Sequence, residues 1–93
     1  SQDFIKIGGE GVDFAKLTMI LERLWQSGSY RGEVALLPIP DARLGAYVAL
    51  ATSGTEENQV KQLIETFNSK VMPYERIREH RMLTKIPRSE LGK

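Results

Sequence analysis

The chain has no cysteine, one histidine and one tryptophan in 93 residues. Without cysteine there are no disulfides, thiolate metal ligands or thiol nucleophiles, a composition that suits a reducing compartment. The lone histidine, His80, stands among arginines with no serine, cysteine or metal-ligand residue spaced to partner it. It reads as a surface strand residue, and no metal site is expected. No apolar run approaches the ~20 residues that cross a bilayer, and no charged-then-apolar leader opens the chain, so a cytoplasmic protein without a membrane span is expected. Nucleotide fingerprints are missing as well. Gly8-Gly9-Glu10-Gly11 is followed by neither the Gly-Lys-Ser/Thr of a phosphate loop nor the acid of a dinucleotide fold, and on its residues alone it is a tight turn. Residues 1–93 form one domain with a modest core, too small for a nucleotide site beside a separate substrate pocket. A complete enzyme cannot be assembled from them.

Hydrophobic residues make up 41% and charged residues 27%, which places the chain among ordinary globular domains rather than disordered or fibrous ones. The formal charge of +1 hides an asymmetry. Residues 1–69 carry six basic and nine acidic side chains, whereas residues 70–93 carry seven basic (Lys70, Arg76, Arg78, Arg81, Lys85, Arg88, Lys93) against three acidic. Such a cationic end suits a phosphate-bearing ligand; the plainer alternative is an edge strand kept monomeric by its charge.

Hydrophobic periodicity divides the chain into short elements. Phe4–Ile7 is β-prone and runs into the Gly8–Gly11 loop. Asp13 is placed to cap a helix, with Val12 before it and Leu17 at the fourth helical position as a hydrophobic staple. Phe14, Leu17, Leu21 and Leu24 recur at helical spacing, Ile20 and Trp25 widen the stripe, and Gly28 closes it. Glu33–Leu37 reads as a buried strand that stops at Pro38-Ile39-Pro40-Asp41. Ala46–Ala51, apolar on both faces, is expected to be central. Ser53-Gly54-Thr55-Glu56 fits a capping box opening a second helix whose apolar face is Val60, Leu63, Ile64, Phe67 and Val71, before Pro73. Ile77–Leu83 is a charge-rich edge strand, and Ile86–Lys93 leaves as a polar tail. The order β-α-β-β-α-β predicts an α+β two-layer sandwich, a small mixed sheet with two helices on one face. That order alone does not fix a function.

Four stretches together resemble the C-terminal domain of AMP-forming acyl-CoA synthetases, in the adenylate-forming superfamily with luciferases and peptide-synthetase adenylation domains. Ile5-Lys6-Ile7-Gly8-Gly9-Glu10-Gly11-Val12 is similar to the hinge-and-loop motif that opens that domain. Val34 through Gly45 resembles its strand and "P-D-x-x-x-G" turn. Pro73-Tyr74 resembles its entry to the last strand, and Ile86-Pro87-Arg88-Ser89-Glu90-Leu91-Gly92-Lys93 matches the ending "L-P-[RK]-x-x-x-G-K". The likeness covers nearly the whole chain in order. It departs at Lys16-Leu17-Thr18, where the family usually has "E-[IV]-E", and at the start, where the family's hinge residue falls at Gln2 and its preceding Gly-Arg is absent. The chain is therefore expected to begin at a hinge, cut away from a large N-terminal domain.

The resemblance implies a two-step ligase that uses Mg-ATP, CoA and a carboxylic acid, with no cofactor expected on the isolated domain, which should be inactive. In the first step the carboxylate attacks the α-phosphate of ATP, releasing pyrophosphate; in the second the CoA thiol displaces AMP. Lys93 is implied as the cation where the two anions meet. Gly8, Gly9, Glu10 and Gly11 are implied to line the pantetheine tunnel after the small domain rotates, with Glu10 organising the loop. Lys6 and the arginines of the last third are implied as contacts to CoA phosphates. The acid is expected to be o-succinylbenzoate or a long-chain fatty acid. Two other readings compete. A carrier-protein-dependent adenylation domain would differ only in the acceptor. A free-standing ferredoxin-like module for RNA or small anions would need aromatics on the sheet, for which Tyr47 and Tyr74 are the candidates; the ligase reading expects no nucleic-acid partner.

Overall fold

The structure, a computed structural model, describes residues 4–87. Its order is β1 (Phe4–Ile7), β2 (Glu10–Asp13), α1 (Phe14–Ser27), β3 (Glu33–Asp41), β4 (Gly45–Ser53), α2 (Glu57–Asn68), a 3-10 turn (Pro73–Glu75) and β5 (Ile77–Met82). The α+β class holds. A three-stranded sheet has the order β3-β4-β5, antiparallel between β3 and β4 and parallel between β4 and β5. One face of that sheet gives Leu36, Val48, Leu50 and Ile77 to a single core with Leu17 and Leu21 of α1 and Val60, Leu63 and Phe67 of α2. β4 is central as expected: five consecutive residues, Val48 to Thr52, are at most 1% exposed. No helix among the described residues is long and apolar enough to cross a membrane.

The first departure from expectation lies at the glycine loop. Only Gly8 and Gly9 form the turn; Glu10 and Gly11 belong to β2, which pairs antiparallel with β1 from Ile7↔Glu10 to Phe4↔Asp13. Gly8 and Gly9 have φ of 59° and 86°, the two successive positive values that a two-residue hairpin turn requires and that glycine alone adopts cheaply. The order is thus β-β-α-β-β-α-β. Val12 then points into the core, fully buried with Leu17. Asp13 caps α1 as expected, its Oδ1 accepting the Lys16 N–H at 3.3 Å.

Three further expectations are corrected. β3 does not stop at Leu37 but runs through Pro38 and Pro40 to Asp41. Two residues apart, the prolines share one side of the strand, and an edge strand has an open side on which their missing N–H groups cost nothing. Ser53 does not cap α2: it is still paired in β4, and its hydroxyl donates to the Thr84 carbonyl at 2.9 Å, while Glu56 stands at the N-cap without a side-chain cap. Val71 lies beyond the end of α2 but still packs against the core. Gly28 closes α1 in an extended conformation, so its need is space rather than a positive φ. A Cβ there would overlap the ring of Tyr30, which stacks on Trp25 with centroids 4.7 Å apart. His80 is half-buried rather than a plain surface residue; its Nε2 lies 2.7 Å from Oγ1 of the buried Thr52, giving that hydroxyl its partner.

Candidate functional site

Pro40-Asp41-Ala42-Arg43-Leu44-Gly45 joins β3 to β4, and its residue types follow from the turn it makes. The Asp41 carboxylate accepts the N–H of Arg43 at 3.1 Å and of Leu44 at 2.7 Å, an aspartate-headed turn. Gly45 closes it at φ 85°, paired with Asp41, where a Cβ would lie 2.9 Å from the Lys6 carbonyl. The β1–β2 hairpin seats against this turn, and the Gly8 N–H donates to the Leu44 carbonyl at 2.8 Å. The two sequence motifs, glycine pair and aspartate turn, are therefore halves of one surface. What holds the Gly8-Gly9 turn is a backbone bond to the neighbouring turn.

The third wall comes from the segment between α2 and β5. Met72 N–H donates to Glu75 Oε1 at 2.9 Å and Glu75 N–H to the Met72 carbonyl at 2.9 Å, fixing the Pro73–Glu75 turn. Asn68, at the end of α2, clamps the start of β5: its Oδ1 accepts the Ile77 N–H at 2.8 Å and its Nδ2 donates to the Ile77 carbonyl at 3.3 Å. Arg76 donates Nε to the Asn68 carbonyl at 3.2 Å, which anchors its stem and leaves the rest of its guanidinium fork for other acceptors. Between these walls lies a groove of about 360 Å³ bounded by Ile7, Gly8, Leu44, Tyr74, Arg76 and Arg78. Partial burial raises the Tyr74 phenol above its ordinary value, and the charges of Glu10 and Glu75 add to the effect, so Tyr74 is neutral at physiological pH.

A second, smaller groove of about 210 Å³ adjoins the first and shares Leu44 and Arg78 with it; Asp41, Arg43, Tyr47 and Glu79 complete it. Tyr47 donates its hydroxyl to Glu79 Oε1, and Arg81 donates Nε to Glu79 Oε2. The bonds from Arg81 and from Tyr47 hold the Glu79 carboxyl below its usual range, and the same partner raises both Tyr47 and Arg81. The Arg78 guanidinium lies 5.8 Å from the centroid of the Tyr47 ring. Both carboxylates in this groove are thus engaged, Asp41 by backbone N–H groups and Glu79 by Arg81 and Tyr47. Arg43 and Arg78 remain as its positive edge.

Of the expected site residues, the structure brings Gly8 to the lip of the larger groove, with Gly9 beside it in the turn and exposed Glu10 and Gly11 leading away along β2. Lys93 and Gln2 lie outside the described residues. Among the basic residues, Arg76 and Arg78 line the groove whereas Arg81 is tied to Glu79 in the single ion pair of the described residues. Arg43 and Leu44 were not singled out from the sequence; the only signal was their position between Asp41 and Gly45. Tyr47 and Tyr74, the aromatics a stacking surface for RNA would use, are both half-buried.

No protein-family model and no curated protein sequence matches the chain. Solved structures do. The crystal structure of an acyl-CoA synthetase (AMP-forming)/AMP-acid ligase II-like protein from Dyadobacter fermentans matches with a TM-score of 0.83 at 17% identity, over 98% of this chain and 26% of that one. A Mycobacterium tuberculosis fatty acyl CoA synthetase matches with a TM-score of 0.72 at 26% identity, over 99% of this chain and 18% of that one. The anthranilate CoA ligase AuaEII, solved with anthranoyl-AMP, gives 0.69 at 21% identity over 99% and 18%. The chain has the fold of the small C-terminal domain of adenylate-forming enzymes, and it spans between 18 and 26% of the length of these three proteins.

Proposed function

We propose that this chain is the lid domain of an ATP-dependent, AMP-forming carboxylate–CoA ligase, working on a larger N-terminal domain of the same cytoplasmic enzyme. The observation that carries the reading is the placement of the Gly8-Gly9 turn on the lip of a groove walled by Arg76 and Arg78, within a fold shared with acyl-CoA synthetases. Glycine lets a thin pantetheine arm approach the backbone, and two guanidiniums beside it suit the phosphates at the other end of CoA. Lys93 would act in the other orientation of the lid. There an ammonium on a flexible stem bridges the substrate carboxylate and the α-phosphate of Mg-ATP, offsetting their repulsion as the acyl-AMP bond forms and pyrophosphate leaves. The acid, o-succinylbenzoate or a long-chain fatty acid, would be chosen by the N-terminal domain.

The test separates the half-reactions in the full-length enzyme. Lys93→Ala should abolish acyl-AMP formation, read as acid-dependent pyrophosphate release, and leave thioester formation from supplied acyl-AMP nearly intact. Gly9→Trp should do the reverse, because an indole at the turn fills the path of the pantetheine arm. Equal loss in both half-reactions for Lys93→Ala, or a normal CoA step for Gly9→Trp, removes that residue from its role.

A further inference from the structure

We propose that Tyr47 is a positioning residue for CoA: its ring fixes the Arg78 guanidinium on the wall shared by the two grooves, where Arg78 contacts a phosphate of CoA. The inference rests on the lid reading and adds to it which cation meets the ligand and what aims it.

The parallel ladder between β4 and β5 carries an irregularity. Val48 faces Ile77 and the next residue, Ala49, faces Glu79, so Arg78 has no partner of its own in β4. A bulge is uncommon in a parallel pair; it breaks the alternation of side chains and re-aims one of them. Ile77 enters the core at 7% exposure, while Glu79 reaches Tyr47, beside Ala49 on the far face. Arg78, the extra residue, has no residue paired opposite it and lines both grooves.

An exposed arginine on a free bulge would sample many rotamers. Here the Tyr47 ring lies 5.8 Å beneath the guanidinium, within the range of a cation–π contact. The ring is itself held, since its hydroxyl donates to Glu79 and Glu79 is held by Arg81. The chain of contacts Arg81–Glu79–Tyr47–Arg78 thus begins in an ion pair and ends in a cation that lines both grooves. The groove's own carboxylates, Asp41 and Glu79, are occupied by other donors. A planar cation held by its face keeps its N–H edges free, which is the geometry that takes two phosphate oxygens at once.

The test uses the full-length enzyme and varies CoA at saturating acyl-AMP. Arg78→Ala should raise the KM for CoA about tenfold, the loss of a charge-assisted contact, with kcat within about twofold. Tyr47→Leu should raise it about threefold, the worth of an exposed cation–π contact, and Tyr47→Phe, which keeps the ring but loses its bond to Glu79, should fall between wild type and Tyr47→Leu. The double variant Y47L/R78A should be no worse than R78A, because the ring acts only through the guanidinium. Arg23→Ala, on the exposed side of α1, controls for lost charge and should change nothing. Should Y47L fail to fold, Arg78→Lys asks the same question from the surface: it keeps the charge, cannot lie flat on the ring, and should raise KM about threefold. Multiplying effects in the double variant, a KM for R78A or R78K equal to wild type, or a Y47F as impaired as Y47L overturns the inference while leaving the lid reading in place. A wild-type enzyme that forms no thioester from any acid overturns the lid reading itself.

Discussion

Glu79 is held from two directions, by the Arg81 guanidinium and by the Tyr47 hydroxyl, and both bonds favour its ionised form. A carboxyl depressed on folding adds stability above its unfolded value, near 4.5, and loses that contribution as pH falls through the lower folded value. Tyr47 is shifted upward, so its share is complete below the unfolded value of 10.0 and is lost as pH rises through the higher folded value. The network is therefore expected to hold across the neutral range and to fail at both ends. Thermal unfolding followed against pH should show the wild type losing stability below about pH 4.5 more steeply than Glu79→Gln, whose side chain does not titrate. Parallel curves for the two proteins would show that the network adds nothing to the fold. The same residues show why the site was only partly legible. Arg78 was visible in the sequence as one of several cations. What distinguishes it is a bulge set by the register of two strands far apart in sequence, which no local pattern encodes. Gly8-Gly9 was legible because its composition announces a turn, yet its extent was not: Glu10-Gly11-Val12 is too short and glycine-rich to read as a strand until Ile7 and Val12 are seen to enter one core.

At the level of elements, the join between α2 and β5 depends on one side chain. Asn68 bonds the N–H and the carbonyl of Ile77, whose side chain is 7% exposed, and its own carbonyl receives Arg76. Asn68→Ala removes both side-chain bonds and leaves the Ile77 N–H without that acceptor, a loss of about 2 kcal/mol. Asn68→Asp keeps the acceptor but turns a carboxylate oxygen toward the Ile77 carbonyl in place of the donor, so it should restore only part of that loss. Chemical denaturation reads both from the shift in midpoint at constant slope, and equal midpoints for Asn68→Ala and wild type would show that the clamp is idle. The helices were legible because their apolar stripes recur with the helical period over three turns or more, and Leu17, Leu21, Val60, Leu63 and Phe67 all enter the core. Strand ends were less so. The prolines of β3 argue against pairing only in a central strand, and β3 is an edge. Ser53 carried the right chemistry for a cap, but tertiary pairing with Glu33 kept it in β4.

The described residues present these motifs on one side: the glycine turn, the aspartate turn, Arg76 and Arg78 meet around two shallow grooves, while the helices cover one face of the sheet. Among the described residues those grooves have guanidiniums but no facing wall, so a triphosphate held there stays in water, where each ion pair is worth little. The isolated chain should therefore bind ATP no more tightly than about millimolar and hydrolyse none of it, a statement that calorimetry and phosphate release at moderate salt can check. Weak binding that falls steeply as salt rises would fit a charged surface waiting for a second wall. Sub-micromolar affinity would mean that these residues form a complete nucleotide site by themselves, and the division of labour proposed for the lid would have to be abandoned.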